Sequence, residues 1–283
     1  YGVSCAVTFN VASGHTETAP SGGIVLGSAT LNSGPNATSA VKTITFQKNG
    51  AGAKPRVNAW VGNQVPSSAA PDGIWSLRGA DFITIDGIDL LDNNAANPAT
   101  MEYGFGLFKL NAGDGAQNNT IKNASVTLNR ANNVTSGGTL MGLGSVGIQV
   151  VNVAASAATT AITPSSQAGA NSNNKFYIDT IQNASGGIFI AGYADVTSPF
   201  TLADSSNIVG GSAPNACLIR NFGGVAGNPA AGIVTSAQNG INISYNTVNN
   251  NDGGGFNHPN VLFGIYNINP VGDANRPTVI NNN

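Results

Sequence analysis

Short segments in which apolar and polar residues alternate recur along the chain, and each ends in asparagine, aspartate or glycine. Examples are VTFNV (7–11), TITFQ (43–47), DFITIDGIDLLDN (81–93), NKFYIDTIQN (174–183) and INISYNTVNN (241–250). Alternation with a period of two is typical of strands with one buried face, and the closing residues favour turns. Apolar residues at helical spacing are scarce. The pattern therefore predicts an all-β fold built from many short strands.

The strands belong to a loose repeat in which a glycine followed by an apolar residue opens a strand. The repeat glycines are Gly73, Gly106, Gly147, Gly187, Gly232 and Gly264, at intervals of 33, 41, 40, 45 and 32 residues. Periods of 20–50 residues indicate solenoids or arrays. A propeller needs strands joined by evenly placed hairpin turns, and the sequence lacks them. The uneven period favours a parallel β-helix, whose corners accept insertions; the small, polar segments 131–146 and 154–172 are two such insertions.

Asparagines cluster where strands end, as in YNTVNNND (245–252) and in the terminal VINNN. Asparagine tolerates the left-handed backbone conformation that a sharp corner needs. Its amide is both donor and acceptor, so amides at equivalent corners can bond along a stack of coils. We therefore expect a structural role for these asparagines, with Tyr245, Thr247 and Val248 on the strands between corners.

The composition excludes several classes of partner. Charged residues make up 8% of the chain and the formal net charge is −2, so nucleic acid and anionic membranes are poor partners. No apolar run of about 18 residues is present, which argues against a helix that spans a membrane. In a solenoid Cys5 and Cys217 would lie several coils apart, too far to be bridged. Pairing of Cys5 with something upstream is the alternative.

The segments ITFQKNGAGAKPRVNAW (44–60), GIWSLRGADFITIDGIDLLDN (73–93), MEYGFGLFKLNAGDGAQNNTIKNASVTLNR (101–130) and NSNNKFYIDTIQNASGGIFIAG (171–192) show a likeness to a known family. They resemble the right-handed parallel β-helix modules of very large surface proteins exported by the type IX secretion system of gliding and related bacteria. The resemblance covers nearly the whole chain and implies an extracellular, cell-surface setting with a structural or adhesive role. The same coil pattern occurs in pectate-lyase-like enzymes, so the fold alone does not decide function.

We therefore predict a single right-handed parallel β-helix over residues 1–283, with opening coils in 1–60 and about five irregular coils in 61–283. Neither end carries the polar capping element that solenoids use. For this reason we expect the chain to be a fragment of a longer polypeptide, whose remainder would lie beyond both ends. A partner chain that covers the ends is the alternative.

Two functions compete. The first is a non-enzymatic module that contacts an extracellular surface, a polysaccharide or other protein chains, with no cofactor. The second is a polysaccharide lyase or glycoside hydrolase. Its candidate catalytic residues are Asp86, Lys122, Asp179 and Arg220, because β-helix lyases use carboxylates with an arginine or lysine base. Two or more carboxylates beside a lysine or arginine in an open cleft would favour the enzyme.

Four smaller hypotheses concern Ca²⁺ binding, glycosylation, ice binding and sugar stacking. Asp86, Asp89 and Asp92 are candidate Ca²⁺ ligands, with Asp86 and Asp92 on one face of a strand if no bulge intervenes. Thr180, in the Asp-Thr-Ile tripeptide that matches a bacterial O-glycosylation signal, is a candidate sugar attachment point. Threonines do not repeat at a fixed offset, which argues against the flat threonine rows of ice-binding β-helices. The aromatic residues that could stack on sugar rings are Trp60, Trp75, Tyr103, Tyr193 and Tyr266.

Overall fold

A computed structural model describes residues 2–63, 70–97, 100–132, 144–224, 229–250, 258–272 and 275–283. Almost all of its regular structure is strand, numbered β1 to β25 along the chain. The helical elements in these ranges are one helical turn, α1 (Ala29–Asn32), and two 3₁₀ turns, Gln167–Gly169 and Ala213–Asn215. None of them is long or apolar enough to cross a membrane. The all-β prediction is confirmed.

Most strands belong to three parallel sheets. The first sheet contains, in spatial order, β1 (Val7–Ala12), β4 (Ile44–Asn49), β7 (Ile83–Asp86), β10 (Thr120–Lys122), β14 (Lys175–Tyr177), β18 (Ile208–Gly210), β22 (Asn242–Ser244) and β25 (Val279–Asn281). The second contains β2 (Thr16–Thr18), β5 (Arg56–Asn58), β8 (Asp89–Leu91), β11 (Ser125–Thr127), β15 (Thr180–Gln182), β19 (Leu218–Arg220) and β23 (Thr247–Asn249). The third contains β3 (Ile24–Leu26), β6 (Gly73–Arg78), β9 (Tyr103–Lys109), β12 (Val146–Ala154), β16 (Gly186–Ala191), β20 (Ala230–Ser236) and β24 (Leu262–Ile268).

The chain visits the three sheets in turn, and each strand pairs with the strand one circuit before it. This order, with parallel pairing throughout the three stacks, is that of a β-helix or solenoid. Two further strands, β17 (Asp204–Ser205) and β21 (Gln238–Asn239), pair in parallel just before the first sheet. The predicted insertion 154–172 contains β13 (Ala157–Ala161), which folds back antiparallel on β12. Most of the segment 131–146 lies outside the described residues.

The core consists of rows of apolar side chains stacked in register, one from each turn. The row of the first sheet is Phe9, Phe46, Ile85, Ile121, Phe176, Val209, Ile243 and Ile280. Its members from Ile85 to Ile243 are buried and Phe46 is half-buried, whereas Phe9 is 49% exposed and Ile280 is 43% exposed. The second and third sheets supply equivalent rows, such as Leu90, Val126, Ile181 and Ile219 from the second sheet. The alternation in sequence therefore identified the inward residues of these strands.

Glycines allow the third sheet to approach the second closely. Gly104, Gly147, Gly187 and Gly232 precede the stacked residues Phe105, Ile148, Ile188 and Ile233. A Cβ atom on Gly187 would lie 2.1 Å from the carbonyl oxygen of Gly232 and 2.6 Å from Cγ2 of Ile219. The sequence repeat was therefore a real register mark in the later turns, with two errors. Gly73 pairs with Tyr103, so Ile74 and not Gly73 is equivalent to Gly104. Gly104, not Gly106, occupies the repeat position, because Gly106 pairs with Ser76 and Gln149.

After glycine, asparagine is the commonest residue with a left-handed backbone in the described ranges, as predicted. Of the thirteen non-glycine residues with positive φ in the described ranges, seven are asparagines: Asn118, Asn123, Asn173, Asn183, Asn221, Asn269 and Asn282. Tyr245, however, has φ of 65° and lies at a corner, so its placement on a strand was wrong. Cys5 is exposed and Cys217 is buried, and both are free thiols.

Replacing Ile121 by alanine tests the stacked core. Ile121 is 1% exposed and lies between Ile85 and Phe176. We expect a loss of about 2–5 kcal/mol in the free energy of unfolding, because the substitution removes apolar contacts and leaves a cavity. Ile85→Ala and Ile243→Ala should behave alike. Ile280→Ala, at the exposed end of the same row, is the control and should cost clearly less. Equal losses in chemical denaturation for Ile121 and Ile280 would contradict the assigned register.

Replacing Gly187 by alanine tests the close approach of the two sheets. We expect destabilisation of about 1–3 kcal/mol, since the added methyl group would overlap backbone of the next turn. Gly264→Ala is the matched control, because its Cβ would meet nothing within 4 Å. Thermal and chemical melting of both variants check the prediction, and an unchanged Gly187→Ala protein would show that the sheets are not packed this tightly.

Candidate functional site

Two of the four candidate catalytic residues come together on the outer face of the first sheet. Asp86 and Lys122 are register partners on β7 and β10, and Nζ of Lys122 lies 3.0 Å from Oδ2 of Asp86. The other oxygen of Asp86 accepts a hydrogen bond of 2.6 Å from Nδ2 of Asn123. Both charged side chains are partly exposed. The pair is therefore an accessible, fully bonded ion pair on a sheet face.

The other two candidates lie elsewhere. Asp179 is fully buried at the corner between the first and second sheets, where Oδ1 accepts a 2.9 Å hydrogen bond from the backbone N–H of Ala124. Arg220 lies on the second sheet, where its Nε and Nη2 donate to Oε1 of Gln182 at 2.9 and 2.7 Å. The four residues therefore do not converge on one position where a substrate could bind.

The three candidate Ca²⁺ ligands have separate surroundings. Gly87, with φ of 72°, forms a corner between Asp86 and Asp89, so the strand parity that placed Asp86 with Asp92 does not apply. Asp89 lies 3.7 Å from Nζ of Lys54 and accepts a hydrogen bond of 2.7 Å from the N–H of Ser125. Asp92 is buried and accepts the N–H of Asn94 at 3.0 Å. Within the described ranges, no group of three or more histidine, cysteine or acidic side chains is placed to hold a metal.

Thr180 and the aromatic candidates differ in accessibility. Thr180 begins β15, is partly buried, and pairs between Ser125 and Leu218, while its N–H donates to the carbonyl of Ala124 at 2.8 Å. Of the aromatic residues, Trp75 and Tyr103 are buried. Trp60 and Tyr193 are half-buried, and half-buried Tyr266 stacks on Phe263 with ring centroids 4.5 Å apart.

The outer face of the first sheet carries a row of threonines that the sequence did not reveal. Thr8, Thr45, Thr84 and Thr120 are register partners in four successive turns. Their sequence intervals are 37, 39 and 36 residues, so the inference that threonines form no rows was wrong. Beside them runs a second row: Asn10, Gln47, Asp86, Lys122 and Tyr177. In it, Nε2 of Gln47 donates to Oδ1 of Asn10 at 2.9 Å. Neighbouring strands lie about 4.8 Å apart, so the face presents polar groups at that spacing.

A cavity of about 590 Å³ lies at the first turn. Apolar core residues line it, among them Phe9, Phe46 and Trp75, together with the charged residues Glu17 and Arg56. Glu17 pairs in register with Val57 and so takes an inward position. An inward charge at an edge is a device that opposes edge-to-edge association of sheets.

Two further carboxylates, buried Glu102 and half-buried Asp81, bond to backbone of neighbouring turns. Both oxygens of Glu102 are occupied, by the N–H of Asp72 at 2.7 Å and by Nδ2 of Asn132 at 3.1 Å. Desolvation raises the pKa of Glu102 to about 7. Desolvation likewise raises the pKa of Asp81, which accepts the N–H of Gln117 at 2.6 Å, to about 7. These acids complete backbone hydrogen bonding at corners, a role that no sequence motif indicated.

Lys109 and Asp204 form a buried ion pair. Nζ of Lys109 lies 3.8 Å from Oδ1 of Asp204, and both side chains are inaccessible to solvent. Nζ also donates to the carbonyl of Gly169, and Oδ1 of Asp204 accepts the N–H of Asn171 at 2.9 Å. Desolvation lowers the pKa of Lys109 and raises that of Asp204 to about 6, while the attraction between the two charges opposes both shifts. The pair ties the segment after β13 to the body of the stack.

Buried asparagines form a continuous hydrogen-bonded ladder before the first sheet. Oδ1 of Asn174 accepts both the backbone N–H and Nδ2 of Asn119, each at 3.1 Å. Its Nδ2 donates to the carbonyl of Ala116 at 2.9 Å. Oδ1 of Asn207 in turn accepts the N–H of Asn174 at 2.9 Å. The amides therefore bond from turn to turn, as the sequence predicted.

Asn174→Ala tests this ladder. The substitution leaves the N–H of Asn119 and the carbonyl of Ala116 without partners, and each buried group left unpaired costs about 1–3 kcal/mol. Asn10→Ala removes an exposed amide from the outer face and is the control. Chemical denaturation should show a large loss for the first and little change for the second. A small effect at Asn174 would mean that water replaces the ladder.

No family model, curated protein or solved structure matches the chain.

Proposed function

We propose that the chain is a single right-handed parallel β-helix that acts, without catalysis, as a structural and adhesive module of a large secreted cell-surface protein. Right-handedness is favoured because crossover connections between parallel strands are right-handed in nearly all proteins. The proposed cell-surface setting rests on the resemblance of the sequence to modules of type IX secretion cargo proteins. The contact partner is an extracellular polysaccharide or another protein chain.

The observation that carries the adhesive role is the paired polar rows on the outer face of the first sheet. Thr45 and Thr84 present hydroxyl groups beside Gln47 and the Asp86–Lys122 pair. Hydroxyls and amides both donate and accept hydrogen bonds, which matches the chemistry of sugar hydroxyls. Strands held on both sides by neighbouring turns give such a surface a fixed geometry, so little ordering is needed on binding.

One observation favours the alternative, a polysaccharide lyase or glycoside hydrolase. Asp86 and Lys122 combine a carboxylate with a potential base on an accessible face. Asp179 and Arg220 do not join them, and catalysis by this pair would need a substrate to bring the remaining groups. The non-enzymatic module is therefore the better-supported function.

A glycan array combined with a polysaccharide-degradation screen on the chain tests the proposal. We expect binding to a polysaccharide with no release of reducing ends or unsaturated products. The double variant Thr45→Val/Thr84→Val should weaken that binding several-fold, because it removes two hydroxyls while keeping side-chain shape and strand preference. Thr247→Val, on the exposed face of the second sheet, is the control.

Degradation products that disappear in Asp86→Asn and Lys122→Met variants would establish the enzyme instead. If the double threonine variant keeps full binding and no degradation is seen, the outer face of the first sheet is not the adhesive surface.

A further inference from the structure

One residue in each successive turn occupies the inside of the corner between the first and second sheets. We call these residues the corner stack: Ala124, Asp179, Cys217, Asn246 and Asn283. They are equivalent by hydrogen bonding, since the N–H of Ala124 donates to Oδ1 of Asp179 at 2.9 Å. In the same way the N–H groups of Cys217 and Asn246 donate to the Oδ1 atoms of Asn246 and Asn283 at 3.1 and 2.9 Å.

The side chains of Asn283, Asn246 and Cys217 also each contact a backbone carbonyl group. Nδ2 of Asn283 donates to the carbonyl of Ile243 at 2.9 Å, and Nδ2 of Asn246 donates to the carbonyl of Val209 at 3.0 Å. Sγ of Cys217 contacts the carbonyl of Phe176 at 3.3 Å. Each acceptor belongs to the core row of the first sheet, one turn earlier. In these three turns the corner stack therefore places a hydrogen-bond donor against the carbonyl group of the core-row residue one turn earlier.

Asp179 breaks this rule if its carboxyl group is ionised. The core-row residue one turn earlier is Ile121, which pairs with Phe176. Oδ2 of Asp179, the atom in the place of the asparagine Nδ2, is buried and has no hydrogen-bond partner. A carboxylate oxygen has no proton to donate, so ionisation would leave a charge and a carbonyl dipole unsatisfied in the same buried space.

We propose that Asp179 is held as a neutral carboxylic acid whose hydroxyl group donates to the carbonyl of Ile121, in the place where other turns use an amide or a thiol. The acid acts as an asparagine substitute in the corner stack. Its proton then links the turn that contains β14 to the turn that contains β10.

The surrounding groups agree with this state. Desolvation is the largest influence and raises the pKa of Asp179 well above its usual value, and the charge of Asp86 raises it further. The N–H groups of Ala124 and Tyr177 and the charge of Lys54 act in the opposite direction. From the next turn Cys217 faces Asp179, and burial raises the pKa of that thiol. Among these groups Lys54 is the cation, and its Nζ lies 3.7 Å from Oδ1 of Asp89.

This protonation makes the corner stack sensitive to pH. The pKa of Asp179 is raised in the folded chain, so its contribution to stability is complete at acidic pH, below the ordinary aspartate pKa of about 3.9. That contribution decreases as the pH rises towards the folded-state pKa, because the unfolded chain releases the proton. Over that window a single such group changes the unfolding equilibrium constant by about tenfold per pH unit.

Denaturation of the wild-type chain and of Asp179→Asn between pH 4 and pH 9 tests the proposal. The amide supplies the donor without a titrating proton, so we expect the variant to be more stable than wild type at pH 8. The number of protons released on unfolding should be smaller by one in the variant. Asp179→Leu keeps the branched shape, with two larger methyl groups in place of the oxygens, but removes donor and acceptor, and it should be destabilised at every pH. A variant Asp179→Asn that is less stable than wild type at pH 8, with an unchanged pH dependence, would overturn the proposal.

A second measurement observes the proton directly and does not need a folded variant. Carboxyl ¹³C NMR of the aspartates in wild-type protein, with each resonance assigned to its residue, should show that the carboxyl group of Asp179 stays protonated at neutral pH. If every aspartate carboxyl resonance has the chemical shift of an ionised group at pH 7, Asp179 is charged and the proposal fails.

Discussion

Hydrogen bonding between successive turns at the corners is the interaction on which this architecture depends. Strand residues satisfy their backbone groups in the sheets, but a corner residue faces only the corners above and below it, and buried backbone groups must find a partner. Asn119, Asn174 and Asn207 supply those partners with side-chain amides. The same need explains why so uncharged a chain is rich in asparagine and why its corners stay in step over several turns.

Carboxylates occupy some of these positions, and their burial has chemical consequences. Glu102 and Asp81 accept backbone N–H groups as an amide oxygen would, yet desolvation favours their neutral forms. Perturbed pKa values often mark active sites, but structural networks produce them too. Here each of these acids is bonded to backbone of a neighbouring turn, so the perturbation reflects the construction of the stack and gives no support to catalysis.

The interior and the outer surface of the stack carry different kinds of side chain. Inward positions belong to the stacked apolar rows and the glycines that let the sheets approach each other, as at Gly187 against Ile219. The outward positions of the first sheet carry the threonine row and its polar neighbours. The proposed adhesion to a polymer with repeating hydroxyl groups rests on this rigid, weakly charged, hydrogen-bonding face. Asp86 and Lys122 are paired and partly exposed on the same face.

The sequence by itself determined which segments are strands, which of their residues face inward and where the corners lie. Ile85, Ile121 and Ile243 are buried as their alternation required, and asparagines take the left-handed corners, because both properties depend on local geometry. The sequence also indicated that the candidate acids share one region, but it did not show that Gly87 turns the chain between Asp86 and Asp89.

Only the tertiary structure decided which strand stacks on which. A period of two assigns faces within a strand, but corner insertions of unequal length hide the register between turns. For that reason the sequence misplaced the repeat at Gly106, concealed the row through Thr45 and Thr84, and gave no sign that Asp179 would be enclosed. Register sets which side chains meet along the stack, and those meetings determine the hydrogen bonds, the buried charges and the exposed rows.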